Sequence, residues 1–241
     1  MKTLILAAGR GKRLGELSVD RNKCMLPIHH KPLIEYSLDC AVEVDSSEII
    51  IVIGYKGDEI VKKYGQVYQG KRIVYVEQNE QQGLVHAIEC ASNVIGNEDF
   101  MLMLGDELMI HPRHKDMVDV FNLRKLFGVC GVVNVEDANL VKKTYSVIKD
   151  DGDKIIRLIE KPANPQNNIM GTGNCIFKNS ILSYIPLTPI NQKRKEKELP
   201  DLIQCAIDDA KTVWAFDICN HYINVNVPEE ITKVESYFTH L

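Results

Sequence analysis

Short apolar runs alternate with segments of helical spacing along the first half of the chain, and this alternation constrains the fold more than any other feature. The runs are bounded by glycine or by charged residues and occupy residues 3–7, 48–53, 72–76, 100–104 and 127–135. Their shortness indicates buried strands rather than helices. Helical periodicity appears between the first four runs, at residues 32–44, 58–64 and 84–94. This order predicts a doubly wound, mostly parallel sheet with its ligand site at the carboxyl ends of the strands.

After about residue 140 the sequence pattern becomes typical of consecutive β-strands. Runs at residues 145–150, 154–159 and 170–177 predict an insertion of strands, with a turn at Asp151-Gly152-Asp153. The highly charged run from Ile190 to Glu198 predicts an exposed, solvated loop. A helix at residues 199–210, a strand at 213–218 and a helix at 228–238 are expected to complete the chain. We therefore expect an α/β fold, a Rossmann-like three-layer sandwich with a mostly parallel mixed sheet and a small β-rich insertion.

Composition limits the classes of protein to consider. A chain of 241 residues with 45% apolar content can bury one substantial core, so residues 1–241 are expected to form a single domain. The net charge of -4 provides no global positive field for a nucleic-acid backbone. The seven cysteines are far apart and form no CxxC pair, which argues against structural zinc and disulfides and favours a cytoplasmic location. No apolar run approaches the roughly 20 residues of a membrane span, and the amino terminus lacks a secretory signal pattern, so no membrane partner is expected.

The first predicted strand leads into a glycine-rich, cationic turn, Leu6-Ala7-Ala8-Gly9-Arg10-Gly11-Lys12-Arg13. Glycines let backbone N–H groups approach phosphate oxygens, and the cations neutralise phosphate charge. The turn is neither a Walker A loop, which needs Gly-Lys-Ser or Gly-Lys-Thr, nor a complete GxGxxG dinucleotide fingerprint. The pattern predicts a triphosphate-binding loop, and an ordinary strand-to-loop turn is the alternative.

From Leu4 through this turn to Asn22-Lys23-Cys24-Met25-Leu26-Pro27 and Lys31-Pro32-Leu33-Ile34-Glu35-Tyr36, the chain resembles the opening of the sugar-1-phosphate nucleotidylyltransferases. The resemblance extends from about residue 2 to residue 238 and rests on five motifs that occur in order. It implies that Leu6, Ala7, Ala8, Gly9 and Gly11 bind the nucleotide, and that Arg13 and Lys23 neutralise phosphate charge. The family's usual proline before the lysine is Asn22 here, a departure that affects the stiffness of the loop more than its charge.

The segment Glu77-Gln78-Asn79-Glu80-Gln81-Gln82-Gly83-Leu84-Val85-His86 is similar to the family's base-reading loop. The amide of Gln78 can donate to one edge atom of uracil or thymine and accept from the neighbouring N3–H, while Gly83 lets the chain lie against the base. Gln81 or Gln82 could perform the task of Gln78, and His86 is expected to pack or cap the helix. The match favours UTP or dTTP over GTP, because relatives that use GTP more often carry an acid and a GTAG-like run here.

An acid follows the fourth predicted strand, where Phe100 to Leu104 leads into Gly105-Asp106-Glu107. The carboxylate of Asp106 at this strand end is a suitable ligand for Mg²⁺. The resemblance implies a second metal ligand near the last strand, where Asn224 and Asn226 place amides on one face. Asn224 aligns best with that ligand and Asn226 is the runner-up. A neutral ligand holds Mg²⁺ less strongly than a carboxylate, so weak metal affinity or lost activity stays open.

Glu160-Lys161-Pro162 resembles the family's EKP motif, in which the lysine meets the sugar phosphate and the acid meets sugar hydroxyls. Relatives often have glycine at the position of Ser146, so this serine puts a backbone contact with the sugar in doubt. Gly171 and Thr172 match the loop that borders the sugar. The resemblance therefore implies that residues 1–135 mainly bind the nucleotide and residues 136–241 mainly bind the sugar phosphate.

The resemblance implies in-line attack by the oxygen of a sugar 1-phosphate on the α-phosphorus of a nucleoside triphosphate, with pyrophosphate leaving. A phosphate monoester is already an anion, so positioning and neutralisation by Arg13, Lys23, Lys161 and Mg²⁺ suffice, and we assign no general base. A cytidylyl- or guanylyltransferase for another phosphorylated acceptor stays open, as does a regulatory nucleotide-sugar-binding relative without catalysis. A nicotinamide dehydrogenase is the weakest alternative because its glycine fingerprint is incomplete. Neither the sugar nor the oligomeric state follows from the sequence, and a homo-oligomer stays open.

Overall fold

The computed structural model describes residues 1–238. Its strands are β1 (Lys2–Ala7), β2 (Pro27–Ile28), β3 (Lys31–Pro32), β4 (Ile49–Ile53), β5 (Val67–Tyr68), β6 (Lys71–Glu77), β7 (Phe100–Leu104), β8 (Glu107–Ile110), β9 (Gly128–Asn134), β10 (Tyr145–Lys149), β11 (Ile155–Glu160), β12 (Ile169–Phe177), β13 (Ile190–Asn191), β14 (Glu196–Lys197), β15 (Val213–Asp217) and β16 (His221–Asn224). Its α-helices are α1 (Ile34–Glu43), α2 (Asp58–Tyr64), α3 (Leu84–Ile95), α4 (His114–Leu123), α5 (Leu199–Asp208) and α6 (Pro228–Phe238). Short 3₁₀ segments lie at Lys12–Ser18, Lys23–Met25, Val141–Lys143 and Asn179–Leu187.

One mixed sheet of 10 strands surrounds a parallel centre. β1 pairs in parallel with β4 and β7, and β4 pairs in parallel with β6. Beyond β7, the antiparallel strand β12 connects β9 and β10 to the sheet, β11 extends it at one edge, and β15 pairs in parallel with β9. The expected parallel core is therefore confirmed, and the β-rich second half of the chain extends the same sheet.

Helices cover both faces of this sheet because alternate residues of each strand point to opposite sides. Leu4 of β1 belongs to a core cluster with Ile88 of α3 and Leu202 of α5. Ile5, the next residue, belongs to the opposite cluster with Leu38 of α1 and with residues of α2 and α4. Each of these fully buried aliphatic side chains contributes about 1.5–3 kcal/mol. The two clusters confirm the expected three-layer sandwich.

Several elements differ from the sequence-based expectation. The bounds of β7, α2 and α6 match it, but α4 and β8 were not predicted, and β16 ends at Asn224, so Asn226, expected on the same strand face, lies beyond the strand. β8 pairs only with β16 in a separate two-stranded sheet, so neither strand is defined without its distant partner. The charged run 190–198, expected as a solvated loop, instead forms the hairpin of β13 and β14. Three of its charged residues, Arg194, Glu196 and Glu198, form ion pairs that the sequence alone does not reveal.

The seven cysteines are free thiols, and most of them are buried. None of the helices in residues 1–238 combines the length and the apolarity that crossing a bilayer requires.

Candidate active site

The cationic turn after β1 lies against the side chain of Lys23. Gly11 has a left-handed conformation, with a φ of 62°, immediately before the 3₁₀ segment Lys12–Ser18. A Cβ atom on Gly11 would lie 3.0 Å from Cβ of Lys23, so the absence of a side chain allows this close approach. The residues of the turn divide into a buried strand end, Leu6, Ala7 and Ala8, and an exposed part, Gly9, Arg10, Lys12 and Arg13. The glycine that contacts the buried Lys23 therefore lies between exposed cationic residues of the turn.

Lys23 joins the first loop to two later parts of the chain. Only 5% of Lys23 is exposed, and its Nζ donates to Oδ2 of Asp106 at 2.5 Å and to Oδ1 of Asn226 at 2.9 Å. Asp106 follows β7 and Asn226 follows β16. A buried ammonium group is tolerated here because a carboxylate and an amide oxygen satisfy it. The structure thus brings Gly11, Lys23, Asp106 and Asn226 into one cluster.

The two candidate asparagines occupy different places in this cluster. Asn226 accepts from Lys23, and its own Nδ2 donates to Oδ1 of Asn224 at 2.7 Å. Asn224 pairs with Glu107 in the small sheet, one hydrogen bond further from Lys23. Glu230 of α6 accepts from the backbone N–H of Asn226 at 2.6 Å, which fixes the approach of this segment. The geometry therefore favours the runner-up, Asn226, for the position beside Asp106.

The donor set around Asp106 suits a hard cation that phosphates help to hold. Asp106 supplies a carboxylate, and Asn224 and Asn226 supply amide oxygens. In residues 1–238, no three His, Cys, Asp or Glu side chains gather into a group that could hold a metal ion. Mg²⁺ commonly binds one or two carboxylates together with substrate phosphates, so these residues fit the ion when a nucleotide completes its coordination.

Asn22 occupies the place of the family's usual proline and ties three segments together. Its side chain is fully buried, and Nδ2 donates to the carbonyl oxygens of Ala7 at 3.0 Å and Tyr55 at 2.8 Å. Oδ1 accepts from the backbone N–H of Cys24 at 2.9 Å and caps the 3₁₀ turn that carries Lys23. The Asn22 side chain therefore stiffens the loop through three hydrogen bonds.

Glu107 is a buried link between β8, β12 and β16. Its carboxylate accepts from the N–H of Gly173 at 3.0 Å, from Nδ2 of Asn174 at 2.6 Å and from the hydroxyl of Tyr222 at 2.5 Å. Burial raises the pKa of Glu107 to about 8, and the hydrogen bond from Tyr222 opposes that rise. Nε2 of the buried His114 donates to Oδ1 of Asn174 at 2.8 Å, which extends the network. The strand of Gly171 and Thr172 is thereby fastened beside Asp106.

Gln78 and Gly83 lie at the end of β6 and the start of α3. Gln78 is only 5% exposed, and its Nε2 lies 3.0 Å from the carbonyl oxygen of Gly83 and 3.0 Å from Nδ1 of His86. Gln78 also lines a cavity of about 410 Å³ together with Arg10, Tyr55 and Gln81. This volume lies in the usual range for small-molecule sites. The structure therefore places Gln78 in one cavity with Arg10, an exposed residue of the cationic turn.

The hairpin of β13 and β14 covers the Glu160-Lys161 motif. Arg194 bridges Glu160 at 3.0 Å, Glu196 at 2.5 Å and Glu198 at 3.1 Å, and Lys161 lies 3.1 Å from Glu160. Burial, reinforced by the charge of Glu160, raises the pKa of Glu198 to about 7. Two cations and three carboxylates are thus concentrated at this end of the site.

The same hairpin also contacts Gly83 at the start of α3. Gly83 has a φ of 92°, and a Cβ atom there would lie 2.6 Å from Oε2 of Glu196. Glycine is therefore required both by the backbone conformation and by the hairpin. The hairpin spans the segments expected to contact the base and the sugar phosphate.

The side chain of Thr172 is buried, and Gly171 packs against Tyr145. Gly171 pairs with Tyr145 between β10 and β12, and the Tyr145 hydroxyl donates to the carbonyl oxygen of Thr172 at 2.8 Å. The hydroxyl of Thr172 donates to the carbonyl oxygen of Gly131 at 2.8 Å. Oγ of Ser146 donates to Oδ1 of Asn167 at 3.2 Å. The polar side chains of this border are therefore used within the protein.

Sequence reasoning missed Arg194 and Tyr222. An available signal for Arg194 was its flanking by Glu196 and Glu198 directly before a helix, but its third partner, Glu160, comes from a different strand. Tyr222 lies two residues before Asn224, and only the structure shows its hydroxyl donating to Glu107.

The sequence profile described as "Nucleotidyl transferase" matches residues 2–221. UTP–glucose-1-phosphate uridylyltransferase AglF of Haloferax volcanii is 32% identical over 238 residues, which cover 98% of this chain and 95% of that protein. The bifunctional protein GlmU of Methanocaldococcus jannaschii is 30% identical over 237 residues, covering 98% of this chain but 54% of that protein. Glucose-1-phosphate thymidylyltransferase of Streptomyces griseus is 28% identical over 225 residues, covering 92% of this chain and 61% of that protein. The chain thus spans almost all of AglF and little more than half of the other two.

Solved structures have the same fold. A UDP-glucose pyrophosphorylase complexed with UDP-glucose superposes with a TM-score of 0.89 at 23% identity, covering 99% of this chain and 98% of that one. A UTP-bound UGPase from Acinetobacter baumannii superposes with a TM-score of 0.85 at 22% identity, covering 98% of this chain and 92% of that one.

Proposed function

The chain belongs to the nucleotidyl transferase family, and from this premise we propose that it transfers a nucleotidyl group from UTP or dTTP to a sugar 1-phosphate and releases pyrophosphate. It is an enzyme of the sugar-1-phosphate nucleotidylyltransferase class. Its proposed partners are the nucleoside triphosphate and the sugar 1-phosphate, and its proposed location is the cytoplasm.

The observation that carries this proposal is the convergence of the first loop and the acid after β7. Lys23 lies against Gly11 and donates to Asp106. A polyphosphate can displace the hydrogen bond between Lys23 and Asp106. Its oxygens would then contact both the ammonium group of Lys23 and a divalent ion held by the carboxylate of Asp106. One nucleotide can therefore satisfy groups from two distant parts of the sequence.

On the nucleotide side, Leu6 to Gly9 and Gly11 are proposed to contact the nucleotide through their backbone, and Arg13 and Lys23 to neutralise phosphate charge. Asp106 and Asn226 are proposed to hold Mg²⁺, with Asn224 supporting Asn226 through its hydrogen bond. The ion, when bound, would withdraw charge from the α-phosphate and orient the leaving pyrophosphate. Gln78 and Gly83 are proposed to meet the base.

On the sugar side, Lys161 is proposed to bind the sugar phosphate and Glu160 the sugar hydroxyls. Arg194 bridges Glu160 beside Lys161, so we add it as a second cation for the sugar phosphate. Gly171 and Thr172 are proposed to border the sugar through their backbone, since the Thr172 hydroxyl is bonded to Gly131. Residues 1–135 would thus mainly serve the nucleotide and residues 136–241 the sugar phosphate.

The reaction needs no protein nucleophile. The sugar-phosphate oxygen attacks the α-phosphorus in line, the bond to the bridging oxygen breaks, and pyrophosphate carries away the electron pair. Catalysis would come from holding two anions close together and neutralising their charge.

A second candidate is a regulatory protein that binds nucleotide-sugars without turnover. This candidate is favoured because Asn224 and Asn226 are neutral amides, so Asp106 is the carboxylate that the Lys23 cluster offers to a metal ion.

Pyrophosphate release from UTP, dTTP, CTP, GTP and ATP with a mixed pool of sugar 1-phosphates, with and without Mg²⁺, separates these possibilities. We expect release with UTP or dTTP that depends on Mg²⁺. Asp106→Ala and Arg13→Ala should abolish release while the circular dichroism spectrum stays unchanged. Arg72→Ala is the matched control, because Arg72 is exposed at the opposite, amino-terminal end of β6. Nucleotide binding without release from any pair would favour the regulatory protein.

A further inference from the structure

The side-chain amide of Gln78 is fixed by two neighbours that differ in chemistry. Nε2 lies 3.0 Å from the carbonyl oxygen of Gly83 and 3.0 Å from Nδ1 of His86. A backbone carbonyl can only accept a hydrogen bond. The amide atom beside Gly83 must therefore be the nitrogen, and this assigns the orientation of the Gln78 amide from chemistry rather than from shape.

The contact with His86 then has a single consistent form. A glutamine amide nitrogen has two hydrogens and no lone pair to share, so Nδ1 of His86 must accept. The imidazole is neutral in this arrangement and carries its hydrogen on Nε2. Sγ of Cys90, one turn later on α3, lies 3.7 Å from Nε2 and is a suitable weak acceptor for that hydrogen. The tautomer is thus supported from both sides of the ring.

Both hydrogens of Gln78 Nε2 are consumed within the protein, one by Gly83 and one by His86. The carbonyl oxygen Oε1 has no hydrogen-bond partner among residues 1–238, and Gln78 lines the cavity beside the phosphate loop. Gln78 therefore offers a ligand an acceptor and no donor. This differs from the two-sided pairing expected from the sequence, in which the same amide also donates to the base.

We propose that His86 is a positioning residue that makes Gln78 an acceptor-only reader, so that the site selects a pyrimidine carrying an N3–H donor. This inference rests on the proposed function and concerns its choice of base. Uracil and thymine present N3–H, whereas N3 of cytosine is an acceptor and would face Oε1 with two lone pairs opposed. This arrangement therefore weakens the binding of CTP at the position where UTP gains a hydrogen bond.

The difference in affinity between UTP and CTP reflects one hydrogen bond gained by the N3–H of uracil and one repulsive contact at N3 of cytosine. We expect UTP to bind at least about ten-fold more tightly than CTP. The difference should arise at Gln78 and depend on the acceptor that His86 supplies.

Isothermal titration calorimetry with UTP and with CTP tests the inference on the intact chain. Gln78→Leu should weaken UTP binding and leave CTP binding nearly unchanged. His86→Phe keeps a ring but removes the acceptor, frees one Nε2 hydrogen for the base, and should reduce the UTP preference to about three-fold or less. His86→Asn can place its Oδ1 where Nδ1 stood and should restore most of the preference. Glu89→Ala, at an exposed position of the same helix, is the control and should keep the wild-type ratio.

Equal binding of UTP and CTP by the wild-type protein would overturn the inference, as would a His86→Phe variant that keeps the wild-type ratio. Loss of both affinities by the same factor in Gln78→Leu would also contradict it. The measurement is of binding alone, so it remains decisive even if no pyrophosphate is released. The proposed role of His86 in base selection and the proposed transfer reaction can therefore be refuted independently.

Discussion

Replacing Asn22 by alanine should destabilise the protein through the loop that carries Lys23. The side chain is fully buried and makes hydrogen bonds to Ala7, Tyr55 and Cys24, each between 2.8 and 3.0 Å long. Alanine removes all of them and leaves two carbonyl groups and one N–H without this partner. At about 1 kcal/mol for each neutral hydrogen bond, the free energy of unfolding should fall by about 3 kcal/mol.

Asn22→Pro tests the same reasoning against the residue that relatives usually carry. The φ of Asn22 is -65°, which suits proline. However, the backbone N–H of Asn22 donates to Oε2 of Glu59 at 3.0 Å, and proline has no N–H. The roughly 0.4–1 kcal/mol gained by restricting the unfolded chain only offsets this further loss. We therefore expect Asn22→Pro to be no more stable than Asn22→Ala.

Equilibrium unfolding in urea measures both changes. For a domain of this size, Asn22→Ala should also lower the melting temperature by about 6–12 °C. Asn139→Ala is the matched control, since Asn139 is exposed and bonds to Asp137, and it should shift stability by less than about 0.5 kcal/mol. If Asn22→Ala behaved like this control, the buried hydrogen bonds would not be what holds the loop. A proline variant as stable as wild type would refute the role given to the bond with Glu59.

Three other changes test separate parts of the structure. Burial lowers the pKa of His114 from 6.5 to about 4. Between these pH values the folded state binds fewer protons than the unfolded state. The free energy of unfolding should therefore fall by up to roughly 3 kcal/mol on acidification from about pH 6.5 to pH 4. Urea unfolding across this range should show the loss in wild type but not in His114→Gln, and parallel curves would contradict it. Lys195, at the tip of the hairpin, has a φ of 59°, so Lys195→Gly should raise the free energy of unfolding by about 0.5–1 kcal/mol, and a lower melting temperature would count against this strain. Asn226→Asp adds a carboxylate beside Asp106 and should tighten Mn²⁺ binding to the nucleotide complex about ten-fold in calorimetry, while unchanged affinity would remove Asn226 from the proposed metal site.

The fold was predictable where an element carries its own pattern. β7 and α2 have the bounds expected from their apolar runs, and the parallel centre follows from their alternation. β8 was not predictable in this way, because its four residues are defined as a strand by pairing with β16 near the other end of the chain. α4, which lies between β8 and β9, was also missed. Local periodicity therefore identified the sheet but not the small structures attached to its carboxyl edge.

For the candidate site, the sequence indicated several residues that the structure brings together, but not which of their atoms are already hydrogen-bonded. Lys23 and Asp106 stand directly after recognisable signals, and the structure joins them by a hydrogen bond of 2.5 Å. The preference for Asn224 over Asn226 came from alignment, whereas our proposal of Asn226 rests on a contact with Lys23 that depends on how the segment after β16 leaves the sheet. Gln78 was assigned a donor and an acceptor because an isolated amide has both. Gly83 and His86 consume the donor, so the chemistry that this side chain can offer a base depends on the tertiary contacts it has already made.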